Sequence, residues 1–319
     1  MSEVITSTVS AEESAKPSRR GILKLGAGLA AGAGAFALAS CSTGSSGNTG
    51  QAAGNTSLLD KWTANKSANI GMYVGGSSTL FKDPGSGALQ GVYVDWIKKM
   101  FTDMSAAGDI KLNFVEFPFA QLFPALAGGQ IDMIGHGVTI LPSRALKASF
   151  ATLPMYYEGV VMWLKPGSKI TSLDQLNKPG VKISVLAGSS QQFSGAAIFP
   201  NATLSPFADQ TGSIEEANSG RAEGVLISSQ QIPTFASKYP KMTILPGPQV
   251  FVDANTYLMP LGDYRLKEWV SNWIWYQLSH NLLGPQYINN LRPGIQKNKL
   301  TIPIFTPDAI GDVVRTDVS

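Results

Sequence analysis

The order of apolar and polar positions along the chain predicts short strands that alternate with helices. In the first half the pattern indicates strands over 69–74, 111–117 and 131–134 and helices over 93–104 and 119–128. Within 93–104, Trp96, Met100 and Met104 fall on one helical line, which is the spacing of a helix that faces a core. The second predicted helix ends at Gly128 and Gly129, a normal stop signal.

The second half repeats this alternation and contains the longest predicted helix, over 263–283, whose tryptophan stripe is expected to pack in the core. Ser172 and Ser213 each open a sequence typical of a capping box, so we expect a helix to begin at each. Alternation in two blocks predicts two α/β lobes, and such folds bind ligands at strand ends and between lobes. The strands of this half are predicted over 159–164, 181–186, 224–227, 242–245 and 255–261.

Composition narrows the class of protein. The chain has 319 residues, of which 44% are apolar and 15% charged, and this excludes a disordered chain and a multi-span membrane protein. The net charge of +3 is mild and scattered, so we expect no nucleic-acid partner. One Cys and two His exclude an internal disulfide and a Cys/His zinc site. We expect no metal and no cofactor.

The amino-terminal segment has the features of an export signal. Arg19 and Arg20 precede an uncharged run rich in Gly and Ala, over 25–40, that is too short to cross a bilayer of ~30 Å. The paired arginines resemble a twin-arginine signal, and the residues 38–41 (LASC) resemble the lipobox of bacterial lipoproteins. This implies a signal peptide over 1–40 and a lipidated Cys41 that anchors the exported protein to the cell membrane.

The segment 41–66 is predicted to consist of the lipidated Cys41 and a flexible linker. Residues 42–57 carry no charge and almost no apolar bulk, which is typical of a tether. The alternative is a soluble secreted protein in which Cys41 is incidental.

A series of motifs resembles one known family. Residues 117–134 combine a helix, a turn with the pattern Leu-x-x-Gly-x-x-Asp and a strand, and 139–144 follow with Thr139 and Arg144 at their ends. Residues 91–95 (GVYVD) and 187–191 (AGSSQ) resemble a helix entry and a glycine turn of the same family. Together, over about 68–292, these motifs resemble the family 3 solute-binding proteins, the polar amino-acid receptors of bacterial ABC importers.

The resemblance implies a two-lobed α/β fold of the type II periplasmic-binding-protein kind, with a ligand cleft between the lobes and a hinge of two chain crossings. The first lobe is expected over 67–157 plus 256–319 and the second over 158–255. The crossings would then lie near 157–159 and 253–255. It also implies a monomeric binding protein rather than an enzyme.

The same resemblance assigns ligand contacts to particular side chains. It places Arg144 on a ligand carboxylate, with Thr139, Ser189 and Ser190 as further donors. A guanidinium suits this role because it can hold a carboxylate through two parallel charge-assisted hydrogen bonds.

Three further residues are candidate ligand contacts, each with an open structural alternative. Phe119 stands where the family has an apolar contact, and Tyr73 ends the first predicted strand; both are equally compatible with core packing. His136 stands where many relatives carry a Ser, and it either donates to the ligand or fills a turn.

The sequence departs from the family at Ser228. Relatives that bind α-amino acids carry an Asp at this place, where it pairs with the ligand's ammonium, and a hydroxyl cannot neutralise that charge. Two hypotheses follow. Either the ligand lacks a standard α-ammonium, or aromatic faces such as those of Tyr73, Phe119, Tyr156 and Trp163 hold the cation.

The predicted function is delivery of a small carboxylate-bearing solute, an amino acid or a related compound, to an ABC transporter permease.

An alternative function is indicated by the segments 176–181, 256–260 and 269–273, which resemble the cyclohexadienyl (arogenate/prephenate) dehydratase branch of the same fold. That branch carries two acids across 228–231, where this chain has Ser and Gln only, so a positioned acid is missing. A third possibility is a sensor lipoprotein that presents its ligand to a receptor.

Overall fold

The computed structural model describes residues 56–75, 77–104 and 109–300. Over these ranges twelve strands form, numbered β1 to β12 in chain order: Ser67–Met72, Phe81–Lys82, Leu89–Gln90, Lys111–Glu116, Met133–Thr139, Ala148–Phe150, Tyr156–Leu164, Lys182–Leu186, Thr203–Phe207, Gly224–Ser228, Thr243–Ile244 and Phe251–Pro260. Nine α-helices form in the same ranges, numbered α1 to α9: Leu58–Asn65, Val92–Asp103, Leu122–Ala127, Pro142–Ala145, Ser190–Ile198, Gln210–Asn218, Ile232–Phe235, Tyr264–Ser279 and Leu283–Asn298. Two 3-10 turns lie at Phe119–Gln121 and Leu173–Gln175.

Ten of the strands join in one sheet, and its two halves belong to the two lobes. The order β4-β1-β5-β12-β7-β10-β8-β9 runs across the sheet, with β6 beside β12 and β11 beside β7. β1 is parallel to β4 and β5 in the first lobe, and β8 is parallel to β9 and β10 in the second. Parallel neighbours need crossover connections, which the intervening helices provide. The predicted two-lobed α/β architecture is confirmed.

β7 and β12 carry the chain from one lobe to the other. They pair antiparallel, with Val160 opposite Phe251 and Tyr156 opposite Asn255. β12 also pairs with β5, where Asn255 lies opposite Thr139. The predicted crossings near 157–159 and 253–255 fall on these two strands, while the exact lobe boundaries stay a prediction.

Each half of the sheet has its own apolar core. In the first lobe α2 buries Trp96, Ile97 and Met100 against β1, as its 3.6-residue spacing predicts. Trp273 on α8 packs into the same cluster, so the expectation that the tryptophan stripe is core is confirmed. In the second lobe the two faces of β7 and β10 are covered by separate clusters, one of them centred on Trp163.

α1 lies inside the segment 41–66, which is predicted to be a linker. Ser57 caps this helix by accepting a hydrogen bond from Leu59 N at 3.3 Å. Trp62 is buried, and its Nε1 donates to Asp132 Oδ2 at 3.0 Å. The folded body therefore begins before residue 67, because Trp62 and the partly buried Leu58 and Leu59 pack against the core of the first lobe.

Helix boundaries in the second half differ from the predictions in three places. α6 begins after Asp209, whose side chain accepts from Gly212 N at 2.7 Å, so the predicted start at Ser213 is wrong. Ser172 does form a capping box, but it opens a 3-10 turn. The helix predicted over 263–283 ends at Ser279, and α9 follows as a separate, unpredicted helix.

The export signal and the lipidation site lie outside the described residues. Cys41, the paired arginines and residues 42–55 of the tether predicted over 42–57 fall in this part of the chain. Among the helices that the structure describes, none has the length and apolar character needed to cross a membrane.

Candidate ligand-binding site

A cavity opens between the lobes, beside the two crossing strands. Its volume is about 90 Å³, several times the ~10–15 Å³ that one water needs, so it admits a small organic molecule. Both lobes contribute to its wall. The candidate residues that line it are Tyr73, Phe119, His136, Thr139, Ser189, Ser190 and Ser228.

Three tyrosines form one wall of the cavity. Tyr156 from β7 stacks on Tyr287 from α9, with ring centroids 4.5 Å apart. Tyr93 from α2 lies 6.0 Å and 6.3 Å from these two rings, and its hydroxyl donates to Tyr156 Oη at 2.6 Å. All three are buried, and burial raises the pKa of each phenol, so they remain neutral. They offer a cation aromatic faces and hydroxyl oxygens.

Glu158, on β7, supplies the acid of the cavity. Its carboxylate accepts from Asn255 Nδ2 at 3.1 Å and lies against Ser228. The residue is only half-buried because its side chain faces the cavity, yet desolvation by the surrounding protein raises the pKa of the carboxyl to about 7. Among the lining residues that the structure describes, Glu158 is the one acid, and no Lys or Arg lines the cavity.

His136 adds an acceptor. Its Nδ1 lies 2.9 Å from the carbonyl oxygen of Gly137, so Nδ1 carries the proton and Nε2 holds a lone pair. That Nε2 is buried without a partner among the described residues. Burial lowers the pKa of the imidazole to about 4, which keeps it neutral. His136 is thus placed to accept a hydrogen bond from a ligand.

Arg144 is buried between the lobes, with 8% of its surface exposed. Its Nη1 donates to the carbonyl of Thr139 at 2.9 Å, and its Nη2 donates to the carbonyl of Gly188 in the second lobe at 2.7 Å. The guanidinium lies over Phe123, 4.7 Å from the ring centroid. Burial lowers its pKa to about 10, against the opposing effect of the Asp253 charge. Among the described residues of the cavity wall, Arg144 is absent.

The two hydroxyls predicted beside Arg144 meet an acid of the protein itself. Thr139 Oγ1 lies 3.2 Å from Asp253 Oδ2, and Ser190 Oγ donates to the same oxygen. Asp253 lies on β12 and is only 6% exposed. Burial raises the pKa of its carboxyl, while Ser190, Thr139 and the Arg144 charge act in the opposite direction.

The remaining candidates have structural contacts as well as positions on the cavity. Ser189 caps α5 and donates to the carbonyl of Leu186 at 2.6 Å. Tyr73 Oη accepts from Gln210 N of the second lobe at 3.0 Å, and its ring meets Phe119 edge to face. Ser228 is buried at the end of β10. The ligand roles of all of these residues, and of Arg144, stay predictions.

Sequence reasoning missed Glu158, Asp253 and Tyr287. The two acids lie just before the predicted strands over 159–164 and 255–261, because both strands begin earlier than predicted, at Tyr156 and Phe251. An acid at each predicted chain crossing was the available signal. Tyr287 was missed because α9 was not predicted. Buried Leu283, Leu291 and Ile295 repeat at helical spacing and would have indicated it.

Two α/β lobes joined by two crossing strands, with a polar and aromatic cavity between them, define a solute-binding protein. The model of the bacterial extracellular solute-binding proteins, family 3, matches residues 73–279, and the chain belongs to that family. The resemblance seen in the motifs is confirmed. The description of this family places its members outside the cytoplasm, as solute-binding proteins.

Curated relatives agree with this assignment. A probable histidine-binding protein of Neisseria gonorrhoeae is 29% identical over 156 residues, which are 48% of this chain and 56% of that protein. The ABC transporter glutamine-binding protein GlnH of Bacillus subtilis is 30% identical over 192 residues, 59% of this chain and 68% of that protein. The chain thus spans little more than half the length of the first of these relatives.

Solved structures share the fold. The ancestral amino acid-binding protein AncCDT-1, described as a precursor of cyclohexadienyl dehydratase, has a TM-score of 0.64 at 24% identity and covers 74% of this chain and 100% of its own. Holo ArgBP from T. maritima has a TM-score of 0.60 at 22% identity, covering 67% of this chain and 92% of its own. A putative ABC-transporter binding component from Wolinella succinogenes, complexed with lysine, has a TM-score of 0.61 at 21% identity. It covers 70% of this chain and 95% of its own.

Proposed function

We propose that this chain is a lipid-anchored, monomeric receptor that captures a small solute bearing an amino or guanidino group, an amino acid or a related compound, and delivers it to an ABC transporter permease. The observation that carries the proposal is Glu158, the one acid among the described residues of the cavity wall. It lies beside Ser228, so it supplies the negative charge that Ser228 cannot.

The surroundings of Glu158 suit a cation. The tyrosine wall of Tyr93, Tyr156 and Tyr287 presents neutral rings and oxygens, and His136 Nε2 is an acceptor without a partner among the described residues. A positively charged nitrogen with several N–H groups can donate to these acceptors while its charge is balanced by Glu158. An anionic group would find no Lys or Arg on the described part of the wall.

The proposal includes export and anchoring through Cys41. Its support is the sequence: the arginine pair, the weakly apolar run and the lipobox-like residues before Cys41. We expect Cys41→Ser to move the protein from the membrane fraction to the medium or periplasm. Equal membrane recovery of the Cys41→Ser chain and the unmodified chain would remove the anchor from the proposal.

Binding is tested on the full chain, extracted from membranes in detergent, by calorimetry against amino acids and amines at pH 8. We expect Glu158→Gln to weaken the best ligand by about 1.5–3 kcal/mol, which is roughly 10- to 100-fold in affinity. Gln keeps the size and one acceptor oxygen of Glu, so the loss of affinity measures the contribution of the negative charge.

The matched control is Glu268→Gln on the exposed side of α8, which should leave every affinity unchanged. An amino-bearing ligand that binds the Glu158→Gln and unmodified chains equally would show that Glu158 is not its counter-charge. A panel without any bound amine or amino acid would overturn the proposed ligand class.

A dehydratase is the second candidate, and Glu158 is the observation that favours it. The sequence offered no acid near 228–231, whereas the structure places a carboxyl with a pKa of about 7 beside Ser228. A carboxylic acid with such a pKa can act as a general acid near neutral pH. Formation of phenylpyruvate from prephenate, lost in Glu158→Gln, would establish this activity, and its absence with the unmodified chain would exclude it.

A further inference from the structure

Asp253 lies where three elements bring donors together. Thr139 at the end of β5 contributes a hydroxyl 3.2 Å from Asp253 Oδ2. Ser190, the first residue of α5 in the opposite lobe, donates to the same oxygen. The Arg144 charge acts on Asp253 and lowers its pKa in part. Two hydroxyls and a nearby guanidinium are the groups that bind a carboxylate, and here that carboxylate belongs to the protein.

The backbone holds Asp253 in this place. It lies on β12, and its residue partner on β7 is Glu158. Directly paired residues of antiparallel strands point to the same face, so two acids stand side by side, and their charges repel. The positive charge of Arg144 acts on Asp253 and partly offsets its negative charge, whereas Arg144 has no such effect on Glu158. The charge of Glu158 is left for a ligand.

A ligand carboxylate would have to compete with Asp253 for Thr139 and Ser190. If it won, Asp253 would remain buried without its hydrogen bonds, which is costly for a charged group. If it did not win, it would lie beside two acids, with no Lys or Arg on the described part of the wall to balance its charge. A ligand that carries only a cation meets neither penalty.

We propose that the Asp253 carboxylate occupies the anion subsite of Thr139, Ser190 and Arg144, so that the cavity selects organic cations without a carboxylate over the corresponding α-amino acids. This inference rests on the proposed function, since it narrows the ligand class of the same cavity. The ligands it favours are primary amines and guanidines, held by Glu158 and the tyrosine wall.

The test uses pairs of ligands that differ by one carboxylate. Agmatine and arginine, cadaverine and lysine, and histamine and histidine are titrated into the full chain at pH 8. We expect the amine of at least one pair to bind tenfold or more tightly than its amino acid. If no amine binds the unmodified chain at least tenfold more tightly than its amino acid, the inference is overturned, and this comparison needs no variant.

The variant Asp253→Asn removes the internal charge and keeps the side-chain shape. We expect the amino acid of the pair to gain tenfold or more in affinity and the amine to gain little, so that the preference shrinks or reverses. Asp174→Asn, at an exposed position of the second lobe, is the matched control and should leave the preference unchanged. A preference that Asp253→Asn does not change overturns the assignment of the subsite.

Glu158→Gln separates this inference from the proposed function. If Glu158→Gln weakens both members of a pair while the amino acid is preferred, Asp253 is not a filled subsite and the proposed function stands. If both members of a pair bind and Glu158→Gln changes neither affinity, Glu158 is not the counter-charge of the ligand. The Asp253 inference is then judged only by whether the amine binds more tightly than the amino acid. If no member of any pair binds, the Asp253 inference falls, and the proposed function is judged by the wider panel of amino acids and amines.

Discussion

The guanidinium of Arg144 joins the two lobes by donating to a carbonyl on each side, Thr139 O at 2.9 Å and Gly188 O at 2.7 Å. It is packed on Phe123 and excluded from solvent. A buried arginine that donates to both lobes resists their separation, whether or not it also contacts a ligand. Hinge closure in two-lobed proteins depends on such contacts.

Arg144→Lys should favour the open arrangement of the lobes. Lysine has one nitrogen and cannot donate to both carbonyls in this geometry, so the closed form loses about 1.5–3 kcal/mol. Small-angle scattering of the ligand-free chain should show a larger radius of gyration than that of the unmodified protein.

The control for this substitution is Arg265→Lys. Arg265 pairs with Asp60 on the surface at 2.5 Å, and exposed pairs contribute only ~0–1 kcal/mol. Its radius of gyration should not change. Equal scattering of Arg144→Lys and the unmodified chain would show that Arg144 does not hold the lobes together.

Gly188 approaches the other lobe so closely that a methyl group should block closure. Gly188 has a φ of +75°, and a Cβ there would lie 2.9 Å from the Cβ of Ala120 in the first lobe. We expect Gly188→Ala to weaken binding of agmatine, measured by calorimetry, because the closed lobes must separate to admit the new methyl.

Gly180→Ala separates this steric effect from backbone strain. Gly180 has a φ of +84° and nothing within 4 Å of the added Cβ. Both variants should lose about 1–2 kcal/mol of stability from the left-handed backbone, and only Gly188→Ala should lose affinity as well. An equal loss of affinity in both variants would assign the effect to strain.

The carboxyl of Glu158 should make the ligand-free protein less stable as pH rises. Its pKa is about 7 in the folded state and about 4.5 in the unfolded chain, with burial as the main cause. The unfolded chain therefore releases a proton first, and the stability penalty grows from pH 4.5 to pH 7 and is constant above. We expect Glu158→Gln to remove a penalty on the order of 3 kcal/mol at pH 8 and almost none at pH 4.5.

Urea denaturation at several pH values measures this difference. Glu268→Gln on α8 should give the same pH dependence as the unmodified chain. His136 changes the pH dependence of stability in the opposite direction. Because its pKa is lowered to about 4 in the folded state, stability is lost as pH falls from 6.5 to 4. A stabilisation by Glu158→Gln that is equal at pH 5 and pH 8 would contradict the titration of Glu158.

Tyr287→Phe should destabilise the tyrosine wall without removing its rings. The hydroxyl of Tyr287 donates to Gln230 Oε1 at 2.6 Å, and Gln230 Nε2 in turn donates to the carbonyl of Tyr157 at 2.8 Å. Phe would leave the buried Oε1 without its donor, at a cost of about 1–3 kcal/mol. Thermal denaturation should show a lower melting temperature.

Tyr264→Phe is the comparison for this loss, because Tyr264 is exposed at the start of α8. Its melting temperature should equal that of the unmodified chain. If Tyr287→Phe also melts at the unmodified temperature, the contact with Gln230 contributes nothing to stability.

The elements with a regular apolar face were the most predictable part of the fold. The predicted strand over 69–74 and helix over 93–104 correspond to β1 and α2, because their apolar spacing reports burial on one side. α1 was missed because its apolar residues, Leu58, Leu59 and Trp62, are few and follow a long polar segment. The start of α6 was predicted wrongly at Ser213 because a sequence typical of a capping box can also occur inside a helix. There the hydroxyl of Ser213 donates to the carbonyl of Gln210 at 2.8 Å.

The sequence by itself determined the general alternation of strands and helices, the family and the cluster of candidates around Arg144 and Thr139, since these depend on local spacing and motifs. The partners of those residues were decided only by the tertiary structure. Asp253 and Glu158 are far apart in the chain and become neighbours through the register of β7 and β12. Local spacing cannot predict this pairing, because register depends on how distant strands pack and turn their side chains to one face.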